Sequence, residues 1–110
     1  MQILHLSHTP LVGAPGRICR ALNMLPEVSA RWAVLDSTVG NYNKIAFDLD
    51  LCWDNNKDEI IYLAERADVI HLHNYIGLET RDFSPLDFNM MWRRNKPMVR
   101  QFHSNLEALS

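Results

Sequence analysis

Three apolar stretches of this chain each run into histidine, and that recurrence narrows the fold more than any other feature. They are Leu4-His5-Leu6-Ser7-His8, Val69-Ile70-His71-Leu72-His73 and Val99-Arg100-Gln101-Phe102-His103. Helical patterns separate them, and strands that alternate with helices favour a parallel sheet. Parallel strands carry their C-terminal ends to one edge, and open α/β sheets bind ligands outside that edge. The expectation is that His8, His73 and His103 meet over one crevice, far apart though they lie along the chain.

The rest of the chain fits that frame. Strand one covers Ile3 to Ser7, and a helix from about Arg17 to Leu25 places Ile18, Leu22 and Leu25 on one stripe before Pro26 stops it. Strand two runs from Arg31 to Leu35 with Asp36 at its tip, and a turn-rich loop from Ser37 to Asn43 follows. Ile45, Phe47, Leu49, Leu51 and Trp53 then alternate with polar positions that include Asp48, Asp50 and Asp54. That period of two, with carboxylates on one face, suits an edge strand. A second helix spans Lys57 to Ala67, with Asn56 and Glu59 spaced as a capping box and Ile60, Ala64 and Ala67 as its inner stripe. Ser84-Pro85-Leu86-Asp87 predicts the start of a third helix over Pro85 to Arg94, and Pro97 leads into the last strand, Met98 to Phe102. The order β-α-β-β-α-β-α-β predicts one three-layer, Rossmann-like α/β domain over 1–110, with a mostly parallel sheet in spatial order 3-2-1-4-5.

Composition removes several functions. With 110 residues there is room for one modest core. The net charge of −2 supplies no basic field to attract nucleic acid. Cys19 and Cys52 have neither metal nor redox spacing and read as free thiols in a reducing compartment. Met1-Gln2-Ile3-Leu4-His5 lacks the basic start of a signal peptide, and no stretch reaches the ~20 apolar residues of a membrane span. A cytoplasmic protein is expected. The locally basic, partly aromatic run Met90-Met91-Trp92-Arg93-Arg94-Asn95-Lys96 leaves a peripheral membrane contact as an alternative to a solvated helix end.

Chemistry concentrates at the strand ends. The loop holding Gly13, Gly16 and Arg17 joins strand one to helix one. Glycine permits close backbone approach, a helix N-terminus offers free N–H groups, and arginine adds a charged fork, which together suit a phosphate. A plain turn accounts for two glycines equally well. Asp36 stands where a dinucleotide-binding fold keeps its ribose-binding acid, but the leading G-x-G of that fingerprint is missing. His5 and His71 sit inside neighbouring strands and read as hydrogen-bonded core residues. His8, His73 and His103 at the tips are better placed to donate, accept or carry a proton. Three histidines also match a zinc ligand set, yet nothing fixes a tetrahedral geometry, so no metal site is assigned. Asn74 and Tyr75 follow His73 and offer polar groups for sugar hydroxyls beside an aromatic face.

Three segments carry a family resemblance: Ile3-Leu4-His5-Leu6-Ser7 with Gly13-Ala14-Pro15-Gly16-Arg17, Ala67-Asp68-Val69-Ile70-His71-Leu72-His73-Asn74, and Lys96-Pro97-Met98-Val99-Arg100-Gln101-Phe102-His103-Ser104. In that order and spacing they resemble the N-terminal half of GT-B glycosyltransferases, the retaining family 4-like enzymes above all. The resemblance spans nearly the whole chain but not Ser37 to Asn55. It implies an acceptor-binding domain and transfer of a sugar from a nucleotide sugar with retention. It also implies that Gly13 to Gly16 lie near the donor diphosphate, that His103 acts beside the transferred sugar as the catalytic residue, and that His73 and Asn74 line the acceptor side. No cofactor is implied beyond the nucleotide sugar as substrate.

The family's donor domain, with its paired glutamates, has no counterpart here. The chain is therefore expected to act as a hexosyltransferase only when a C-terminal domain or a partner chain completes it, with a sugar or lipid-linked acceptor. Until then it is expected to hide exposed apolar surface, as a homodimer for instance. The alternative is a non-catalytic nucleotide- or sugar-phosphate-binding subunit, or a partner-binding one, of the same fold.

Overall fold

The computed structural model describes residues 1–9, 14–35 and 50–102. Five strands form one all-parallel sheet: β1 (Gln2–Ser7), β2 (Ser29–Val34), β3 (Leu51–Cys52), β4 (Val69–His73) and β5 (Met98–Gln101). Their spatial order is β3-β2-β1-β4-β5, as the chain pattern predicts. Three helices complete the layers: α1 (Ala14–Leu22), α2 (Trp53–Arg66) and α3 (Phe88–Arg93).

Strand alternation divides the side chains between two faces. Leu4, Leu6, Ala33, Leu51, Ile70 and Leu72 face one side, where Ile60 and Ala64 of α2 and Phe88 of α3 close the main core with Ile76, Phe83 and Leu86. Ala30, Trp32 and Val34 face the other side and pack on Cys19 of α1. The predicted inner stripe of α2 holds, since Ile60, Ala64 and Ala67 are all buried.

The boundaries move for local reasons. α1 begins at Ala14 and ends at Leu22, three residues earlier at each end than its apolar spacing predicts. Asn23 stops it by pairing with β2: its amide donates to the Ala30 carbonyl at 2.9 Å and its Oδ1 accepts from the Ala30 N–H at 2.6 Å. The buried stripe is consequently Pro15, Cys19 and partly buried Leu22, while Leu25 is exposed. Asn56 does interrupt α2, at φ −127° and ψ 29°. Its side chain accepts from Cys52 N–H at 3.1 Å, and a preceding helical turn starts at Trp53. The third helix starts later than predicted. Asp87, not Ser84, caps it by accepting from Met90 N–H at 3.0 Å, while Ser84 Oγ donates backward to the Arg81 carbonyl. Among the described residues of the alternating segment, Leu51 and Cys52 form β3, which is an edge strand as expected. Positions 36–49, with Asp36, lie outside the described residues. Asp50, just ahead of β3, ties the edge down: it accepts from Arg31 Nε and Nη2 at 2.7 and 2.9 Å and from Trp32 N–H at 3.2 Å.

Candidate functional site at the carboxyl edge of the sheet

The C-terminal ends of β1, β2, β4 and β5 lie along one edge, and the β1–α1 connection opens there. Gly16 stands on the first turn of α1. A Cβ at this position would sit 2.8 Å from Trp32 Cζ3 and 3.0 Å from Cε3. Trp32 is buried and its Nε1–H donates to Ser7 Oγ at 3.0 Å, so the ring cannot step aside. The glycine is thus required for close helix–sheet packing, a reason that neither phosphate contact nor turn geometry had supplied. Arg17 follows on the exposed side of the same turn. Gly13 and His103 lie outside the described residues.

At the tip of β4, Asn74 adopts a left-handed backbone with φ 54°, which asparagine tolerates better than most residues. Its N–H donates to the Gln101 carbonyl at 2.7 Å, which continues the β4–β5 ladder for one residue. The chain then turns sharply and projects Tyr75 into solvent, 68% exposed. An aromatic face thus stands at the rim of the carboxyl edge.

The histidines do not gather as their strand-end positions suggest. His8 lies beyond β1 on the side of α2 and α3, where its Nε2 meets Asp82 Oδ2 at 3.0 Å and its ring stacks over Phe83. His73 points to the opposite side of the sheet, fully buried. It joins His5 and His71 instead. His5 and His71 are direct register partners on β1 and β4, and His73 stands two residues beyond His71 on the same face. Ring centroids are 4.3 Å apart for His5 and His71, 4.4 Å for His71 and His73, and 5.2 Å for His5 and His73. The sequence reading pairs His5 with His71 correctly, but assigns His73 to the rim. The signal was present: His71 and His73 are two apart, so one face of β4 must hold both.

Hydrogen bonds fix the protons of this column. His5 Nδ1 and His73 Nε2 are 2.9 Å apart, so one of them donates to the other. His5 Nε2 is buried without a partner. A bare lone pair costs less there than an orphaned N–H, so His5 carries its proton on Nδ1 and donates to His73. His71 Nε2 donates to the Gln101 Oε1 acceptor at 2.9 Å. Burial, aided by the adjacent His71, pushes the His5 pKa down to about 3, so its ring is neutral at physiological pH. Among the described residues, one nitrogen from each of the three rings lies within 4.8 Å of the others.

A separate groove of about 1030 Å3 opens at the opposite, N-terminal edge, between Ile61 of α2 and Met91 of α3. It lies on the far side of the sheet from the strand tips where the chemistry is expected. Among the described residues, no helix is long and apolar enough to cross a membrane.

No family model matches this chain, and no curated protein matches it either. Among solved structures, it is similar to a UDP-GlcNAc 2-epimerase from Neisseria meningitidis bound to UDP-GlcNAc. The TM-score is 0.54 at 10% identity, over 91% of this chain. The fold is that of a GT-B-like half domain. The chain spans 32% of the epimerase's length. At that identity the likeness concerns fold alone.

Proposed function

We propose that this chain is the acceptor-binding half of a glycosyltransferase that moves a sugar from a nucleotide sugar with retention of configuration. The observation that carries the proposal is the carboxyl edge itself. A Rossmann-like sheet of GT-B-like order sets the first turn of α1, with Gly16 and Arg17, along the same edge as Asn74 and Tyr75 at the tip of β4. The solved structure of similar fold holds UDP-GlcNAc, which supports a sugar-nucleotide chemistry for the completed protein.

In this reading the α1 N-terminus, with Gly13, Gly16 and Arg17, stabilises the departing diphosphate through its free N–H groups, the helix dipole and the guanidinium. Tyr75 and Asn74 receive the acceptor sugar, and His73 supports them from beneath by its bond to His5. His8, held by Asp82, borders the opposite side of the same edge. His103 positions the transferred sugar. The donor domain comes from a further part of the polypeptide or from a partner chain, so turnover belongs to the completed enzyme.

The test uses that completed enzyme. His103→Ala is expected to lower turnover more than tenfold while the circular dichroism spectrum and melting temperature stay near wild type. Unchanged turnover removes His103 from the reaction. Calorimetry with UDP-sugars and with NADH separates this reading from a dinucleotide-binding module: tight NADH binding by the chain itself overturns it. A transcription unit with no second α/β domain to supply paired carboxylates favours the non-catalytic, sugar-phosphate-binding alternative.

A further inference from the structure

We propose that His5, His71 and His73 form a binding site for one first-row divalent cation of borderline softness, of the class of Zn2+, Ni2+, Co2+ and Cu2+. The ligand chemistry sets the class. Three neutral imidazoles with no carboxylate or thiolate among them suit these ions and reject Mg2+ and Ca2+, which demand oxygen.

Three observations converge on the site. First, β1 and β4 are adjacent and in register, which brings one nitrogen from each ring within 4.8 Å of the others without help from a loop. A tetrahedral centre with metal–nitrogen bonds of about 2.05 Å needs ligands about 3.3 Å apart, so the nitrogens have to close a gap of about 1.5 Å at most and the rings have to turn to aim their lone pairs at one point. Second, His5 Nε2 is a buried lone pair with no partner, which an otherwise satisfied core would not retain. Third, His71 donates its Nε2–H to the Gln101 amide oxygen. Metal-binding histidines characteristically give their other N–H to such an oxygen, which orients the ring and raises the basicity of the ligating nitrogen.

The rings stand as a stack, with His71 and His73 within 2° of parallel. Imidazole lone pairs lie in the ring plane, so binding must turn one ring out of the stack. His71 is held by Gln101, so the turn falls to His5 or His73. The open side by His71 leaves a coordination position for water or an anion, which would offset the cation's charge where no carboxylate does.

The experiment uses tag-free protein treated with chelator, then titrated with Zn2+ and Co2+ alone. One equivalent is expected to bind. His71→Gln is expected to weaken binding more than about tenfold and Gln101→Leu about tenfold, whereas His8→Gln leaves it unchanged. Ni2+ or Co2+ is expected to broaden the imidazole NMR signals of His5, His71 and His73 in the wild type. That second readout decides the matter even if the His71 variant does not fold. No saturable binding by folded wild type, affinity unchanged in His71→Gln, or broadening confined to His8 and His103 overturns the site. None of these outcomes depends on transferase activity.

Discussion

At the scale of single residues, the most constrained position is one without a side chain. Gly16 touches Trp32 so closely that any β-carbon displaces a ring pinned by Ser7. Alanine ordinarily improves a helix by up to about 1 kcal/mol over glycine. Overpacking against an immobile ring costs about 1–3 kcal/mol and should win. Gly16→Ala is therefore expected to destabilise the chain in urea unfolding, and to cost markedly less in a Trp32→Phe background. Equal costs in the two backgrounds would show that the contact with the indole is not the cause. Cys19, on the same helix, has its thiol pushed up to about 12 by burial first and by the charge of Asp50 second. A thiol so buried stays protonated and unreactive near neutral pH.

At the scale of elements, the chain decides which segments are helices and strands, but side chains reaching across to neighbours decide where they stop. Asn23 shows this. It closes α1 not through a local turn signal but by satisfying both backbone groups of Ala30, a residue buried on β2. Its replacement strands a donor and an acceptor inside the structure. Asn23→Ala is expected to cost about 1–3 kcal/mol. Asn23→Asp, which keeps the acceptor and loses the donor, should fall between that variant and wild type. Equilibrium denaturation of the three proteins checks the order. Proline and apolar spacing had placed the stop at Leu25, because the partner that sets it is seven residues away on another element. The shift of α3 from Ser84 to Asp87 has the same origin: both residues can cap a helix, and the fold uses Ser84 Oγ to hold Arg81 instead.

At the scale of the molecule, the described residues cover the two faces of the sheet unequally. α2 and α3 close one face, while on the other α1 covers chiefly β1 and β2. β5 is an edge strand of four residues, with Val99 46% and Phe102 59% exposed. An open parallel edge with apolar side chains tends to find a partner. The 110-residue chain is therefore expected to self-associate as concentration rises, and Val99→Lys should suppress this. Light scattering coupled to gel filtration measures both. A concentration-independent monomer would show that the edge is protected in some other way.

The sequence by itself determined the sheet. Its period of two, its helical stripes and the handedness of crossovers pointed to five strands in a mostly parallel sheet of order 3-2-1-4-5, because those rules act on neighbouring residues and on the geometry common to all chains; the structure makes every pair parallel. It also placed His5 beside His71, since adjacent strands in register leave them no choice. Only the tertiary structure decided which histidines share a site. Strand position suggested a rim of tips, but a side chain's direction follows the face it stands on. His8 and His73 therefore part to opposite sides, and His73 turns inward onto His5. The role of Gly16 was hidden for the same physical reason: a close approach belongs to two residues at once, and Trp32 arrives from another strand.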